Sequence, residues 1–314
     1  MSTNYETVWS SIATQFPNFI NSTTSNIHIF SGYIFLAVSS SSGTNSGVLR
    51  NTFPTPTTWT NIIPGKGICG MDDDGTYLYL FCTANSGGAV PQGFNRCDVN
   101  GNLDNTWYIN SSASIFQITI NNGYIYGTKQ SSATILIVSI AGQNVITNTW
   151  ANIKTLSTDL SSCTGLGITS IGNNLYANTN NPSVLVKIPI VSGNPPTSGT
   201  ISLLDSSAND PYLVYNNGNT TNFLTKYFDK SIIMDFSTLT GGYMNIHRQY
   251  DLAGNLLPPI VSSLPITNTF AGICTNGIHL YAYNNSNGNI YQYQLGSMSL
   301  TNNFKLTGAF SYVH

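Results

Sequence analysis

Residues 67–81 read GICGMDDDGTYLYLF, and residues 95–103 read NRCDVNGNL. The first stretch holds a short apolar run, a turn rich in Asp and Gly, and a second run, TYLYLF, in which side chains alternate. Alternation at period two sends successive side chains to opposite faces of a strand. Asp-Gly between two such runs favours positive φ and marks a tight hairpin turn. The second stretch ends a third strand in another turn, DVNGN, from which a fourth strand leaves. The whole is a four-stranded unit, with strands A to D in chain order.

The unit recurs. Its A–B hairpin reappears as IHIFSGYIFLAV (27–38), FQITINNGYIYGT (116–128), GLGITSIGNNLYANT (165–179), FLTKYFDKSIIMDF (223–236) and AGICTNGIHLYAYN (271–284). Its C–D turn reappears as SIAGQNV (139–145), PIVSGN (189–194) and DLAGNLL (251–257). A tryptophan marks the neighbourhood of the D strand at Trp9, Trp59, Trp107 and Trp150, spaced by about 43–50 residues, the length of a propeller blade. A single four-stranded sheet cannot bury both faces, whereas six of them around an axis can. The sequence therefore predicts an all-β fold, a six-bladed β-propeller of four-stranded antiparallel blades, with residues 1–314 as a single domain. Trp9 belongs to a D-like strand ahead of the first complete blade, so residues near 8–12 are expected to pair with the last blade. Stacked sandwiches would not share such a repeat, and β-helix coils are much shorter. Helical periodicity with caps is missing, so helix content should be very low.

The unit resembles the NHL-type propeller repeat: Gly-Ile, an apolar strand, an Asp/Gly turn, an aromatic strand, an Asn-Arg-x-x strand and an Asp-x-x-Gly-Asn turn. Residues 67–103 carry the resemblance best, and the other copies are degenerate. The resemblance implies the propeller fold. It implies little about function, because propellers host enzymes, lectins, RNA binders and scaffolds.

Composition narrows the partners. Only 7% of residues are charged and the net charge is −2, while 41% are hydrophobic and 11% aromatic. Such a chain folds, and its polar surface must be made of Asn, Ser, Thr and Gly. The ten Lys and Arg are scattered, which argues against nucleic acid as a partner. No run approaches the roughly 18–20 apolar residues of a membrane span, and the N-terminus lacks the pattern of a secretory signal. Membrane insertion is not expected, and cytoplasmic synthesis is. The five cysteines, Cys69, Cys82, Cys97, Cys163 and Cys274, show no disulfide or zinc spacing and read as buried thiols. The sequons at Asn21, Asn110, Asn219 and Asn284 read as chance matches in a chain rich in Asn, Ser and Thr.

The inventory for chemistry is thin. Asp72, Asp73 and Asp74 form the one acidic cluster; they lack EF-hand spacing and read as A–B turn residues. Asp98, Asp159 or Asp210 with Asn side chains are the other candidates for a calcium site. Glu6 is the only glutamate; it precedes the first blade and matches poorly the Glu-Asn-Asp metal set of lactonase-type propellers. His28, His247, His279 and His314 have no metal-ligand spacing among themselves, and no nucleophile elbow is present. Cys69 and Cys274, each in a GIC string, are read as the same place in two copies, where a small apolar side chain suits the axis. Tyr79, Tyr126, Tyr176 and Tyr281 suit a sugar site, but their shared position in strand B reads as packing between blades. The expectation is no catalytic, cofactor-binding or metal residue, no cofactor and no enzymatic activity. The leading reading is an interaction module contacting a protein or a glycan. The low-charge, Thr/Asn-rich composition resembles structural and attachment proteins of large DNA viruses and phages, which implies a virion-associated role. A lectin and a metal-dependent hydrolase or lyase are the alternatives.

Overall fold

The computed structural model describes residues 7–9, 16, 24–39, 46–54, 58–64, 68–82, 90–113, 115–129, 134–143, 145–149, 164–180, 184–190, 202–206, 224–227, 231–236, 246–255, 257, 260–261, 270–277, 279–284 and 288–294. Among them there is no helix, so none crosses a membrane as a helix. They form six four-stranded antiparallel sheets. The first is β2 (Thr24–Phe30), β3 (Tyr33–Ser39), β4 (Gly47–Thr52) and β5 (Thr60–Pro64). The second is β6 (Ile68–Asp73), β7 (Leu78–Cys82), β8 (Gly93–Cys97) and β9 (Leu103–Asn110). The third is β10 (Ile115–Asn121), β11 (Tyr124–Lys129), β12 (Thr134–Ser139) and β13 (Val145–Thr149). The fourth is β14 (Thr164–Ile171), β15 (Asn174–Asn180), β16 (Val184–Pro189) and β17 (Ser202–Ser206). The fifth is β18 (Leu224–Tyr227), β19 (Ser231–Phe236), β20 (Ile246–Asp251) and β21 (Ile260–Val261). The last takes β22 (Phe270–Thr275), β23 (His279–Asn284) and β24 (Asn289–Gln294) from one end of the chain and β1 (Thr7–Trp9) from the other. β1 runs antiparallel to β24, with Thr7 opposite Gln292, Val8 opposite Tyr291 and Trp9 opposite Ile290. The strand is thus centred slightly earlier than residues 8–12.

The alternation in TYLYLF is resolved into two cores. Leu78, Leu80 and Cys82 face the first sheet and pack with Phe35, Ala37, Val48 and Ile63. Tyr79 and Phe81 face the third sheet and pack with Ile115, Ile118, Ile125 and Val138. The same division repeats around the ring. Tyr126 packs on the fourth sheet with Ile168 and Leu175, Tyr176 on the fifth with Tyr250, and Tyr281 on the first with Ile34 and Leu36. The Tyr281 cluster joins the last sheet to the first and closes the circle. All four repeated tyrosines are fully buried, so their rings serve blade packing and offer no face to a sugar. Cys69, Cys82, Cys97 and Cys274 are buried thiols; Cys163 lies outside the described residues.

Two C–D turns share one geometry. Asp98 Oδ1 accepts the amides of Asn100 and Asn102 at 2.8 and 2.9 Å, and its Oδ2 accepts the Asn102 side-chain amide at 2.8 Å. Asp251 does the same with Ala253 and Asn255 at 2.9, 2.8 and 2.7 Å. In both, the intervening glycine (Gly101, Gly254) takes positive φ, +85° and +91°. A Cβ there would lie 2.7 Å from Ile62 or Leu204 of the preceding sheet, so Asp-x-x-Gly-Asn sets how closely each turn approaches its neighbour.

Slight burial works to raise both carboxyls. The hydrogen bonds from the Asn102 or Asn255 side chain and the turn amides outweigh it, so each acid is lowered from its ordinary value. A lowered folded pKa contributes stability that is present above the unfolded carboxylate range and lost as pH falls through the folded value. The melting temperature is therefore expected to fall on acidification below about pH 4. Asp98→Asn and Asp251→Asn together should flatten that acid limb. A limb unchanged in the double variant would show that other groups set it.

Candidate functional site

The A strands β2, β6, β10, β14, β18 and β22 lie next to one another around the axis. They enclose a cavity of about 100 Å³ to which all six contribute side chains: Asn26 and His28, Asp72, Gln117 and Thr119, Thr169, Thr225, and Cys274 with Thr275. Six of these nine side chains carry a hydroxyl or an amide, and isoleucines such as Ile27, Ile118 and Ile168 fill the wall between them. The polar groups also stitch neighbouring A strands. Asp72 Oδ2 accepts the Ile120 amide at 2.6 Å, Gln117 Oε1 accepts the Ile168 amide at 3.2 Å, and the Thr119 and Ser170 hydroxyls lie 3.1 Å apart.

The wall's ionisable residues gather at one mouth, beside the A–B turn of the second sheet. His28 comes from β2, and Asp72 and Asp73 are the last residues of β6. His28 Nε2 donates to Asp73 Oδ2 at 2.7 Å and lies 3.7 Å from Asp72 Oδ1. Burial raises the Asp72 carboxyl above the ordinary carboxylate range; His28 and the Ile120 amide pull it down, and Asp73 pushes it up again.

The reading of Asp72, Asp73 and Asp74 as three turn residues holds for two of them, since Asp72 bonds the neighbouring A strand. Asp73 Oδ1 accepts the Gly75 amide at 2.8 Å, and Asp74 caps the turn, its Oδ1 accepting the Thr76 and Tyr77 amides at 2.8 Å each. Its Oδ2 accepts the Tyr79 hydroxyl at 2.8 Å. Tyr79 is raised to about 12, by burial first and by Asp74, against the opposing effect of Arg96. Arg96 in turn binds Asp104 through Nε at 2.8 Å and Nη2 at 2.5 Å. It stacks over the Tyr77 ring at 4.2 Å. The Asn-Arg strand and the Asp-rich turn thus form one structural network inside the second blade.

The equivalence of Cys69 and Cys274 is also corrected. Register puts Cys274 opposite Tyr281 and Asp72 opposite Tyr79, so Cys274 occupies the level of Asp72. Cys69 falls in the irregular step of β6 between Ile68 and Gly70, and its core lies between the second and third sheets. The two thiols do not face each other. Asp98 sits in a C–D turn with both oxygens occupied, away from the channel wall. Asp159, Asp210, Glu6 and His314 lie outside the described residues. His279 packs edge-on to Tyr281, with ring centroids 6.1 Å apart. Sequence reasoning missed His28 because its partners are 45 residues away and become neighbours only when two A strands lie side by side.

No family model matches the chain, and no curated protein sequence matches it. Solved structures do match. A protein of unknown function from Bacteroides thetaiotaomicron superposes with a TM-score of 0.60 at 14% identity over 88% of this chain and 70% of that one. A chain of the mitotic checkpoint complex gives 0.55 at 11% identity, over 93% of this chain and 96% of that one. The Cps50 (Swd1) β-propeller domain of Myceliophteria thermophila gives 0.51 at 10% identity, over 93% and 99%. At such identities the likeness speaks for architecture, and together with the antiparallel four-stranded sheets it establishes that this chain is a β-propeller.

Proposed function

We propose that the chain is a non-enzymatic interaction module whose partner is a protein. The observation that carries this reading is that, among the described residues, four aspartates serve the fold itself. Asp74, Asp98, Asp104 and Asp251 each hold a turn or the Arg96 network. The axial cavity, about 100 Å³, is far smaller than the 300–1,000 Å³ typical of small-molecule sites. With only 7% of residues charged, a surface rich in Asn, Ser, Thr and Gly is suited to recognition by short-range hydrogen bonding and shape. The likeness to a chain of an assembled complex, the mitotic checkpoint complex, fits that role. The finer reading, a structural or attachment protein of a virion, rests on composition, and it places the partner in an assembled particle.

Cross-linking mass spectrometry in the native extract, beside a glycan array and a panel of lactone, ester and glycoside substrates, tests this. The expected result is reproducible cross-links from one face to a single protein, no sugar-competed retention, and no turnover above buffer. Retention that free sugar abolishes would make the chain a lectin. Turnover lost in a channel-mouth variant would make it an enzyme.

A further inference from the structure

The His28, Asp72 and Asp73 cluster is arranged as a ligand set. One donor atom from each, His28 Nε2 and one oxygen of either carboxylate, lies within 4.8 Å of the others. Ligand atoms at 2.0–2.2 Å from a common ion sit roughly 3–3.5 Å apart, so the 2.7 and 3.7 Å separations of His28 from its partners need only small adjustments. The carboxylates are held in place by backbone. Ile120 donates to Asp72 Oδ2 at 2.6 Å, and Gly75 donates to Asp73 Oδ1 at 2.8 Å. In each acid the other oxygen is the one turned to the imidazole. Hydrogen bonds to the ligating carboxylates orient them and tune their basicity in metal sites.

A second observation points the same way. Asn26 precedes His28 by two residues on β2 and therefore lies on the same face, one level deeper in the channel. It is 4% exposed and lines the same cavity, yet its side-chain nitrogen is buried with no hydrogen-bond partner. A buried amide without a partner costs about 1–3 kcal/mol, which a water or anion bound in the cavity would offset. The cavity has room for an ion and a few waters, given about 30 Å³ for each water.

We propose that His28, Asp72 and Asp73 bind one divalent transition ion of the zinc class at the channel mouth, with its open positions filled by water reaching toward Asn26. One imidazole nitrogen with two carboxylate oxygens suits zinc, manganese or cobalt better than calcium, which prefers an all-oxygen shell. The ion would staple the first blade to the second, since His28 and the two aspartates come from different sheets. This goes beyond the role of an interaction module.

The test uses the full chain, stripped with chelator and titrated with zinc chloride alone, with calcium chloride as contrast. Calorimetry should show one zinc per chain, bound more tightly than calcium. The melting temperature should rise with zinc and fall with chelator. His28→Gln and Asp73→Asn should each weaken binding at least about tenfold, and Asp98→Asn, in a C–D turn away from the channel wall, should leave it unchanged. If either variant loses its β-type circular dichroism, nitrogen NMR of the imidazoles in the unmodified chain decides instead, with zinc expected to move the His28 ring signals and leave the other histidines in place. Absence of one-to-one uptake, uptake retained in both variants, or a shift at a different histidine would overturn the proposal.

Discussion

Removal of residues 1–9 is expected to lower the melting temperature by roughly 5 °C. The truncation takes away β1 and with it three residue pairs to β24. Each pair is worth about 1 kcal/mol in backbone bonding and cross-strand packing, and a cooperatively unfolding chain of 314 residues loses about 1.5 °C per kcal/mol. The loss also turns β24 into an open edge with unpaired amides and carbonyls, so the truncated chain should self-associate at concentrations where the full chain does not. Val8→Pro is the point-mutation counterpart, because Val8 sits in the middle of the pairing and proline has no amide to donate. Differential scanning calorimetry with light scattering reads both effects. Identical melting of the full and truncated chains would show that β1 adds nothing to closure.

Trp107→Ala is expected to cost about 3–5 kcal/mol, the range for deleting a large buried aromatic. Trp107 is 3% exposed and lies in the core between the second and third sheets. Its ring meets Tyr79 edge-on, centroids 5.1 Å apart, and its Nε1 donates to the Ile140 carbonyl at 2.9 Å, across to the third sheet. Trp107→Phe keeps most of the packing and loses that bond, so it should fall between the wild type and the alanine variant. Denaturant unfolding checks the order. An alanine variant within 1 kcal/mol of wild type would mean that the surrounding side chains collapse into the space.

The tryptophan marker shows what a repeat can and cannot tell. Trp107 lies inside β9, Trp59 just ahead of β5, and Trp9 at the end of β1; Trp150 lies outside the described residues. Trp107 packs between the second and third sheets and Trp59 between the first and the last, so the letter recurs at the repeat length without holding one packing place. The tyrosines were more exact guides, since Tyr79, Tyr126, Tyr176 and Tyr281 hold one equivalent place on their B strands and each points into the next blade. The two Asp-x-x-Gly-Asn turns were legible for a local reason, that every bond of the motif falls within five residues.

The channel mouth was not legible. Nothing in the string around His28 announces Asp72 or Asp73. Their approach depends on the A strands being level with one another, and that level is set by register and by irregular steps such as those in β6 and β22. The misplaced pairing of Cys69 with Cys274 has the same origin. The repeated GIC string ends in the irregular step of β6 and begins in that of β22, so identical letters occupy different levels.

The seam in the last sheet also orders events during synthesis. Thr7 must find Gln292, a contact spanning nearly the whole chain, and contacts of such separation form late. Earlier sheets are hairpin ladders of neighbours and can assemble as the ribosome releases them. The β1 strand, made before the other described strands, then waits without its partner until the last hairpin of the sheet emerges. During that interval, a second nascent chain with its own waiting strand is a rival for the same edge, and exchanged strands would join two rings in place of closing each one.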